Sequence, residues 1–386
     1  MKHIPLILIL SLLLTLAACG GRQVDMPAAS RGVETLAEPE PEPAPELPPE
    51  QKLLSAMSTE EKVGQLFFVR CAEPDMAEKI AKYHLGGVLL FGRDYKDLDG
   101  SWLSVTTFPA KLQAYQDAAS IPLFIGSDEE GGTVTRATRN PNLFDAKLPS
   151  PAALYQAGGM TGLLNDTLSY NGRLRALGIN VNFAPVADVS TDPADFIHDR
   201  AFGQDAAATA DYVAKVVEVM QKAEIGAVLK HFPGYGSNAD THTGVAVDER
   251  SMETFRESDL LPFRAGVDAG APFVLVSHNV VECMDASLPA SLSPAVHELL
   301  RGELGFEGVA LTDDLAMDAV KAYAENGDVA TLALLAGNDM LVTTDFETQI
   351  PQVLAAVESG KIPMETVDAA VLRVLRAKIQ LGLFGE

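Results

Sequence analysis

Cysteine, tryptophan and positive charge are all scarce in this 386-residue chain. Three cysteines, Cys19, Cys71 and Cys283, cannot supply a disulfide framework, so the fold has to rest on an apolar core. Cys71 and Cys283 read as two buried thiols. The 3 cysteines and 7 histidines fall at no metal-ligand spacing, and no metal is expected. The pairs Gly86-Gly87 and Gly131-Gly132 lack the spacing of a dinucleotide loop and read as turns, so no cofactor is expected. Lysine and arginine total 29 against 53 acidic residues, a formal net charge of −24. Such a surface repels phosphate backbones and argues against a nucleic-acid partner. A hydrophobic share of 47% with 21% charged residues suits a globular enzyme and is too polar for a chain that crosses a membrane repeatedly.

What is present begins at the N-terminus. Lys2 precedes an apolar run from Ile4 to Leu16, which ends in Leu16-Ala17-Ala18-Cys19-Gly20. The run is too short to span a bilayer, and its flanks describe an export signal. A cysteine directly after Leu-Ala-Ala resembles a bacterial lipobox. The resemblance implies a signal peptide over residues 1–18, acylation of Cys19, and an extracytoplasmic location on a bacterial membrane held by a lipid anchor. Residues 19–52 then read as a tether, because Glu38-Pro39-Glu40-Pro41-Glu42-Pro43 has little to bury and repels itself. One domain, expected to be monomeric, is placed over residues 53–386. Ser58-Thr59-Glu60-Glu61 offers the capping box of an early helix.

From there short apolar runs alternate with amphipathic stretches. Eight runs stand out: Gln65–Val69, Gly87–Phe91, Leu123–Gly126, Asn180–Phe183, Gly226–Leu229, Phe273–Val276, Val309–Thr312 and Met340–Thr343. Ala206–Ala223, Thr254–Ala269, Pro294–Leu304 and Met317–Leu335 carry helical patterns between them. Near-continuous apolar strands, each followed by a helix, predict an α/β fold with a covered parallel sheet, here a (β/α)8 TIM-type barrel. Ionisable residues recur just past the runs: Asp128, Asp188, Lys230-His231, His278 and Asp313-Asp314. In a barrel these strand exits converge on one face, where active sites sit. That recurrence predicts an enzyme.

Two constellations carry chemistry. Asp313 follows Val309–Thr312 and should point into the mouth of the barrel, whereas Asp314, on the other side of the strand, suits a helix cap. The second is Lys230-His231-Phe232-Pro233-Gly234-Tyr235-Gly236, followed by Asp240-Thr241-His242. Glycines and a proline predict an irregular loop, and Asp240 stands close enough to orient the His242 imidazole for proton transfer. His278 either lines the pocket or satisfies core hydrogen bonds. Trp102 reads as packing a loop.

Six stretches in order now carry a resemblance: Asp128 to Arg136, Gly178 to Asp188, Arg200 to Gly203, the Lys230 loop with Asp240 and His242, Leu304 to Phe306, and Thr312 to Leu315. Together they resemble the bacterial β-N-acetylglucosaminidases of glycoside hydrolase family 3. The resemblance implies Asp313 as nucleophile, His242 as acid/base with Asp240 as its partner, and Asp128, Arg136, Arg200, Lys230 and His231 as the groups that hold the sugar. It implies a carbohydrate substrate: terminal β-linked N-acetylglucosamine on peptidoglycan fragments or chitin-type oligosaccharides. A β-glucosidase, a β-xylosidase and a phosphorylase of the same family are the alternatives, and a lipid-anchored sugar-binding protein is the rival from another class. The chain departs from the family pattern at Tyr235, where histidine is frequent, at Thr133, where arginine is common, and in a shortened Lys230-to-Asp240 loop.

Overall fold

Strands this short and this apolar must be covered on both faces, and parallel pairing with outer helices is how one chain achieves it. A computed structural model of the protein describes residues 46–71, 75–237, 246–324 and 328–385, together with Gly21 and Asp25. The chain divides into Met1–Glu46, almost all of it outside the described residues and with it the signal peptide and Cys19, and Leu47–Glu386. In the latter unit the strands are β1 (Phe67–Arg70), β2 (Gly87–Leu90), β3 (Phe124–Ser127), β4 (Val181–Asn182), β5 (Gly226–Phe232), β6 (Val247–Asp248), β7 (Phe273–Val276), β8 (Val280–Val281), β9 (Val309–Thr312) and β10 (Leu341–Thr343). Eight of them form one parallel sheet in the order β10-β1-β2-β3-β4-β5-β7-β9. A parallel bridge from Leu311 to Met340 then brings β9 back to β10, so the sheet is a nearly closed (β/α)8 barrel. All eight anticipated runs lie in it. β6 and β8 pair separately.

Side chains alternate across the barrel wall. Phe68, Leu89, Phe124, Val181, Phe183, Val228, Phe273, Leu275, Val309, Leu311, Met340 and Val342 fill the interior. Their neighbours in sequence, such as Phe67, Val69, Val88, Ile125, Leu229 and Val274, pack outward against the helices. The interior rings meet edge to face, Phe68 with Phe183 at 5.3 Å and Phe124 with Phe273 at 5.1 Å. Gly126 leaves the room they need, since a Cβ there would come within 2.8 Å of both Phe68 and Phe183. Gly87 is likewise a close-approach position inside β2 and not the turn expected of it.

The early helix Thr59–Gln65 has the predicted capping box, Glu61 N–H to Ser58 Oγ at 3.2 Å and Ser58 N–H to Glu61 Oε2 at 2.8 Å. A preceding helix, Pro49–Ala56, starts inside the stretch read as tether. The pattern over Thr254–Ala269 breaks into Met252–Glu257 and Leu260–Asp268, where Asp259 turns inward to pair with Arg250. Pro294–Leu304 begins as a helix to Glu298 and widens into a π-type turn over Leu299–Glu303. Among the described residues no helix is long and apolar enough to cross a membrane.

The floor of the barrel is the last helix, Met364–Gln380, which inserts Val374 and Ala377 into the interior cluster. Lys378 goes in with them and is fully buried, its ammonium donating to Gln65 Oε1 at 2.5 Å. Burial holds that ammonium well below the usual lysine value. The unfolded chain therefore binds a proton that the folded one resists, and stability should rise with pH from the depressed value to the ordinary value of about 10.4. Lys378→Met removes the handicap. Its thermal midpoint is expected to exceed that of the wild type by several degrees at pH 7, with the margin narrowing towards pH 10. A lower midpoint at pH 7 would show that the Gln65 bond outweighs the cost of burial.

Candidate active site

Two residues beyond each packed interior side chain, the next inward position lies at the top of the barrel. Arg70 follows Phe68, Phe91 follows Leu89, Asp128 follows Gly126, Lys230 follows Val228, Asp313 follows Leu311 and Thr344 follows Val342. All of these line one cavity of about 510 Å³, joined by Arg136, Arg200 and His231 from the connecting segments and from β5. Lys230 and His231 both reach it because the pairing of β5 with β7 shifts register between Leu229 and Phe232, a bulge that re-aims the second side chain. The structure thus brings Asp128, Arg136, Arg200, Lys230, His231 and Asp313 together. Asp240 and His242 lie outside the described residues.

The floor of this cavity is a buried charge network. Lys230 Nζ contacts Asp128 Oδ1 at 2.9 Å and Glu130 Oε1 at 2.6 Å. Arg200 grips the same Glu130 with two bonds, Nε to Oε2 at 2.9 Å and Nη2 to Oε1 at 2.7 Å. Burial disfavours the Glu130 charge, but the Lys230 ammonium and Arg200 guanidinium overcome this and hold its carboxyl well below the usual range. Burial equally opposes the Lys230 charge, and Asp128 and Glu130 reverse the effect and raise it. Arg136 Nη2 stands 3.5 Å from Asp128 Oδ2. Glu130 is a member that sequence reasoning passed over, although it stands two residues after Asp128 in the same motif.

His231 is held from both sides. Its Nδ1 lies 2.8 Å from Asp188 Oδ2 and its Nε2 lies 3.0 Å from Arg200 Nη2. A guanidinium can only donate, so Nε2 accepts and the Nδ1–H donates to Asp188. Asp188 also takes the backbone N–H groups of His231 and Tyr235, which fixes the start of the loop. Glu129, the carboxylate between Asp128 and Glu130, faces away. It accepts from the N–H groups of Arg136, Ala137 and Thr138 and from the Thr138 hydroxyl, and burial pushes its carboxyl up to about 7. That turn aims Arg136. Gly131 permits it, with φ +94° and a Cβ position 2.2 Å from the Pro149 carbonyl oxygen.

Across the cavity, Asp313 N–H donates to the Val276 carbonyl at 3.1 Å, and Asp313 Oδ1 accepts from the Asp314 N–H at 2.8 Å. Asp314 also reaches the cavity, while its carboxylate takes the Ala316 N–H and the Thr344 hydroxyl, closing a turn and not capping a helix as expected. His278 is fully buried beneath it, bonded to Ser291 Oγ and the Asp314 carbonyl, a support and not a wall of the cavity. Tyr235 packs edge-on to His231 at 5.2 Å. Trp102 pairs with Lys96 within its loop. Cys71 is buried as expected, but Cys283 is exposed, because it sits on an outer turn after β8.

The family profile "Glycosyl hydrolase family 3 N terminal domain" matches residues 58–377. The chain belongs to glycosyl hydrolase family 3. Beta-hexosaminidase LpqI of Mycobacterium tuberculosis is 31% identical over 335 residues, 83% of this chain and 83% of that protein. The solved structure of LpqI superposes with a TM-score of 0.76, covering 85% of this chain and 96% of that one. A family 3 beta-N-acetylglucosaminidase from Paenibacillus sp. FPU-7 gives a TM-score of 0.78 at 31% identity over 86% of this chain and 64% of that one. The beta-N-acetylglucosaminidase/beta-glucosidase of Cellulomonas fimi is 31% identical over 86% of this chain and 59% of that protein. The family 3 chain thus spans most of LpqI and less than two thirds of the other two. It is a glycoside hydrolase, and the expected enzyme class and barrel architecture hold.

Removing Glu130 should expose what the family 3 cavity depends on. Glu130→Gln leaves Arg200 without its carboxylate and Lys230 with Asp128 alone, which should destabilise the fold by about 3–5 kcal/mol in denaturant unfolding at pH 7. Because the folded carboxyl is depressed, its contribution is present above the unfolded value of about 4.3 and lost as pH falls. The gap between wild type and variant should therefore shrink below pH 4. A gap that stays constant with pH would locate the effect in packing instead of charge.

Proposed function

We propose that the chain is a retaining exo-β-N-acetylglucosaminidase acting on peptidoglycan fragments or chitin-type oligosaccharides. The observation that carries the reading is the placement of Asp313 at the mouth of the barrel, facing a cavity whose floor is the Asp128, Arg136, Arg200, Lys230 and His231 set. The relatives named for β-hexosaminidase or N-acetylglucosaminidase activity support the choice of sugar. Uncharged sugar hydroxyls and an acetamido group lose water on binding, and rigid donors on strand ends replace it. In the first step the Asp313 carboxylate attacks the anomeric carbon while the protonated His242 imidazole, oriented by Asp240, gives its proton to the departing oxygen. In the second, the same imidazole takes a proton from water, whose oxygen displaces Asp313 and restores the β configuration. Acylation of Cys19 would hold this chemistry outside the cytoplasm, on a lipid anchor.

A β-glucosidase, a β-xylosidase and a phosphorylase share these steps and differ in the glycone and the acceptor. A sugar-binding protein would bind without turnover. Incubation of the enzyme with N,N′-diacetylchitobiose and 4-nitrophenyl glycosides, with and without phosphate, separates them. Release of β-configured N-acetylglucosamine, followed by proton NMR, is expected in both buffers. Asp313→Asn should lower kcat by a factor of about a thousand or more, and near-normal turnover would remove it as nucleophile. His242→Ala should cost chitobiose hydrolysis far more than cleavage of the activated aryl glycoside, because only the poor leaving group needs the proton. Equal losses on both would give His242 another role.

A further inference from the structure

The charge network pairs Lys230, Arg200 and Arg136 with carboxylates. Arg70 lines the same cavity and is left out of it. It ends β1, two residues beyond the packed Phe68, so it faces inward by the same alternation that places Asp128 and Lys230. Its guanidinium lies 3.9 Å from the centroid of Phe91, the ring that Arg136 also approaches at 5.4 Å. Among the described residues no carboxylate lies within ion-pair distance of Arg70, and its buried Nε has no hydrogen-bond partner. A guanidinium packed on an aromatic face with a buried Nε–H that meets no acceptor is uncommon in a packed site unless a ligand supplies the missing oxygen. Its planar fork of donors matches a two-oxygen anion better than a single hydroxyl.

Position narrows the ligand group. The Lys230 cluster sits on β3 and β5, whereas Arg70 sits on β1, with β2 and its Phe91 between them. Arg70 and Arg136 share the Phe91 ring, but among the described residues only Arg136 has a carboxylate, Asp128, beside it. We propose that Arg70 is a specificity-determining residue that receives an anionic substituent, a carboxylate or a sulfate, of the bound saccharide. The proposal rests on the N-acetylglucosaminidase reading and narrows it to charged substrates.

Two matched substrate pairs test it in the full-length enzyme. N-acetylglucosaminyl-β-1,4-N-acetylmuramic acid and N,N′-diacetylchitobiose differ by a lactyl carboxylate on the leaving sugar. A 4-methylumbelliferyl N-acetyl-β-glucosaminide and its 6-sulfate differ by an anion on the sugar that is released. The ratio of kcat/KM, anionic over neutral, is the readout. In one of the two pairs it should fall about tenfold or more in Arg70→Gln and be partly restored in Arg70→Lys, and the pair that responds locates the anion. An unchanged ratio in both pairs would overturn the proposal. So would equal losses on charged and neutral members, which would make Arg70 a prop for Phe91. If the wild type cleaves none of the four, the reading of the activity fails on its own. Arg70 is then tested by calorimetry of N-acetylmuramic acid, N-acetylglucosamine and N-acetylglucosamine 6-sulfate: an anion preference that Arg70→Gln abolishes sustains it, and no preference refutes it.

Discussion

Strand parity is the constraint on which the cavity depends. A residue two places beyond a packed interior side chain has to face the same way, so the Phe68, Val228 and Leu311 columns commit Arg70, Lys230 and Asp313 to the barrel mouth. The rings below make the commitment firm. Phe68, Phe124, Phe183 and Phe273 interlock, and Gly126 leaves the space that Phe68 and Phe183 need. Slipping β1, β5 or β9 by one residue would turn Arg70, Lys230 or Asp313 into the outer helix layer, together with the packed side chain below it. Position in the site and packing in the core are one decision.

On that frame the charges arrange one another. Asp128 and Glu130 converge on Lys230, Glu130 binds Arg200 through both oxygens, and Arg200 meets the imidazole that Asp188 holds from behind. Burying such a set gains little stability over an apolar core, because desolvation consumes most of the attraction. What it gains is orientation. A sugar hydroxyl brings no charge and has water as a competitor, so a donor that is already aimed is worth more than one that must be ordered on binding.

Most of this architecture is legible from the chain, for physical reasons that also mark where legibility stops. The eight strands announce themselves because both faces are apolar, and the polar groups at their exits follow by counting in twos. β4 is the instructive exception. The run Asn180–Phe183 reads as four residues of strand, but only Val181–Asn182 is one, because the Asn180 side chain takes over the ladder by bonding Ile125 N–H and the Leu123 carbonyl. Glu130 escapes the count in twos because alternation from Asp128 ends with β3, and the glycine turn that follows is set by contact with Pro149, remote in sequence. The break at Asp259 and the exposure of Cys283 are likewise decided by partners that no local pattern names.

The described residues that flank 238–245 show the same economy. Arg250 places its guanidinium on Asp248 and on Asp259, at 2.8 and 2.9 Å, and against the Phe255 ring at 4.4 Å. Gly236, on the outgoing flank, lies so close to it that a Cβ would fall 2.4 Å from the guanidinium carbon, and a Cβ at Gly234 would fall 2.6 Å from an Asp259 oxygen. Asp248, on the returning flank, is part of the same ion pair, while β6 is pinned to β8. One ion-pair group therefore meets both flanks, and the glycines fit where the backbone passes it at contact distance, Gly236 beside Arg250 and Gly234 beside Asp259. Anchored this way, both flanks stay in register with the barrel top that carries Lys230 and Asp313.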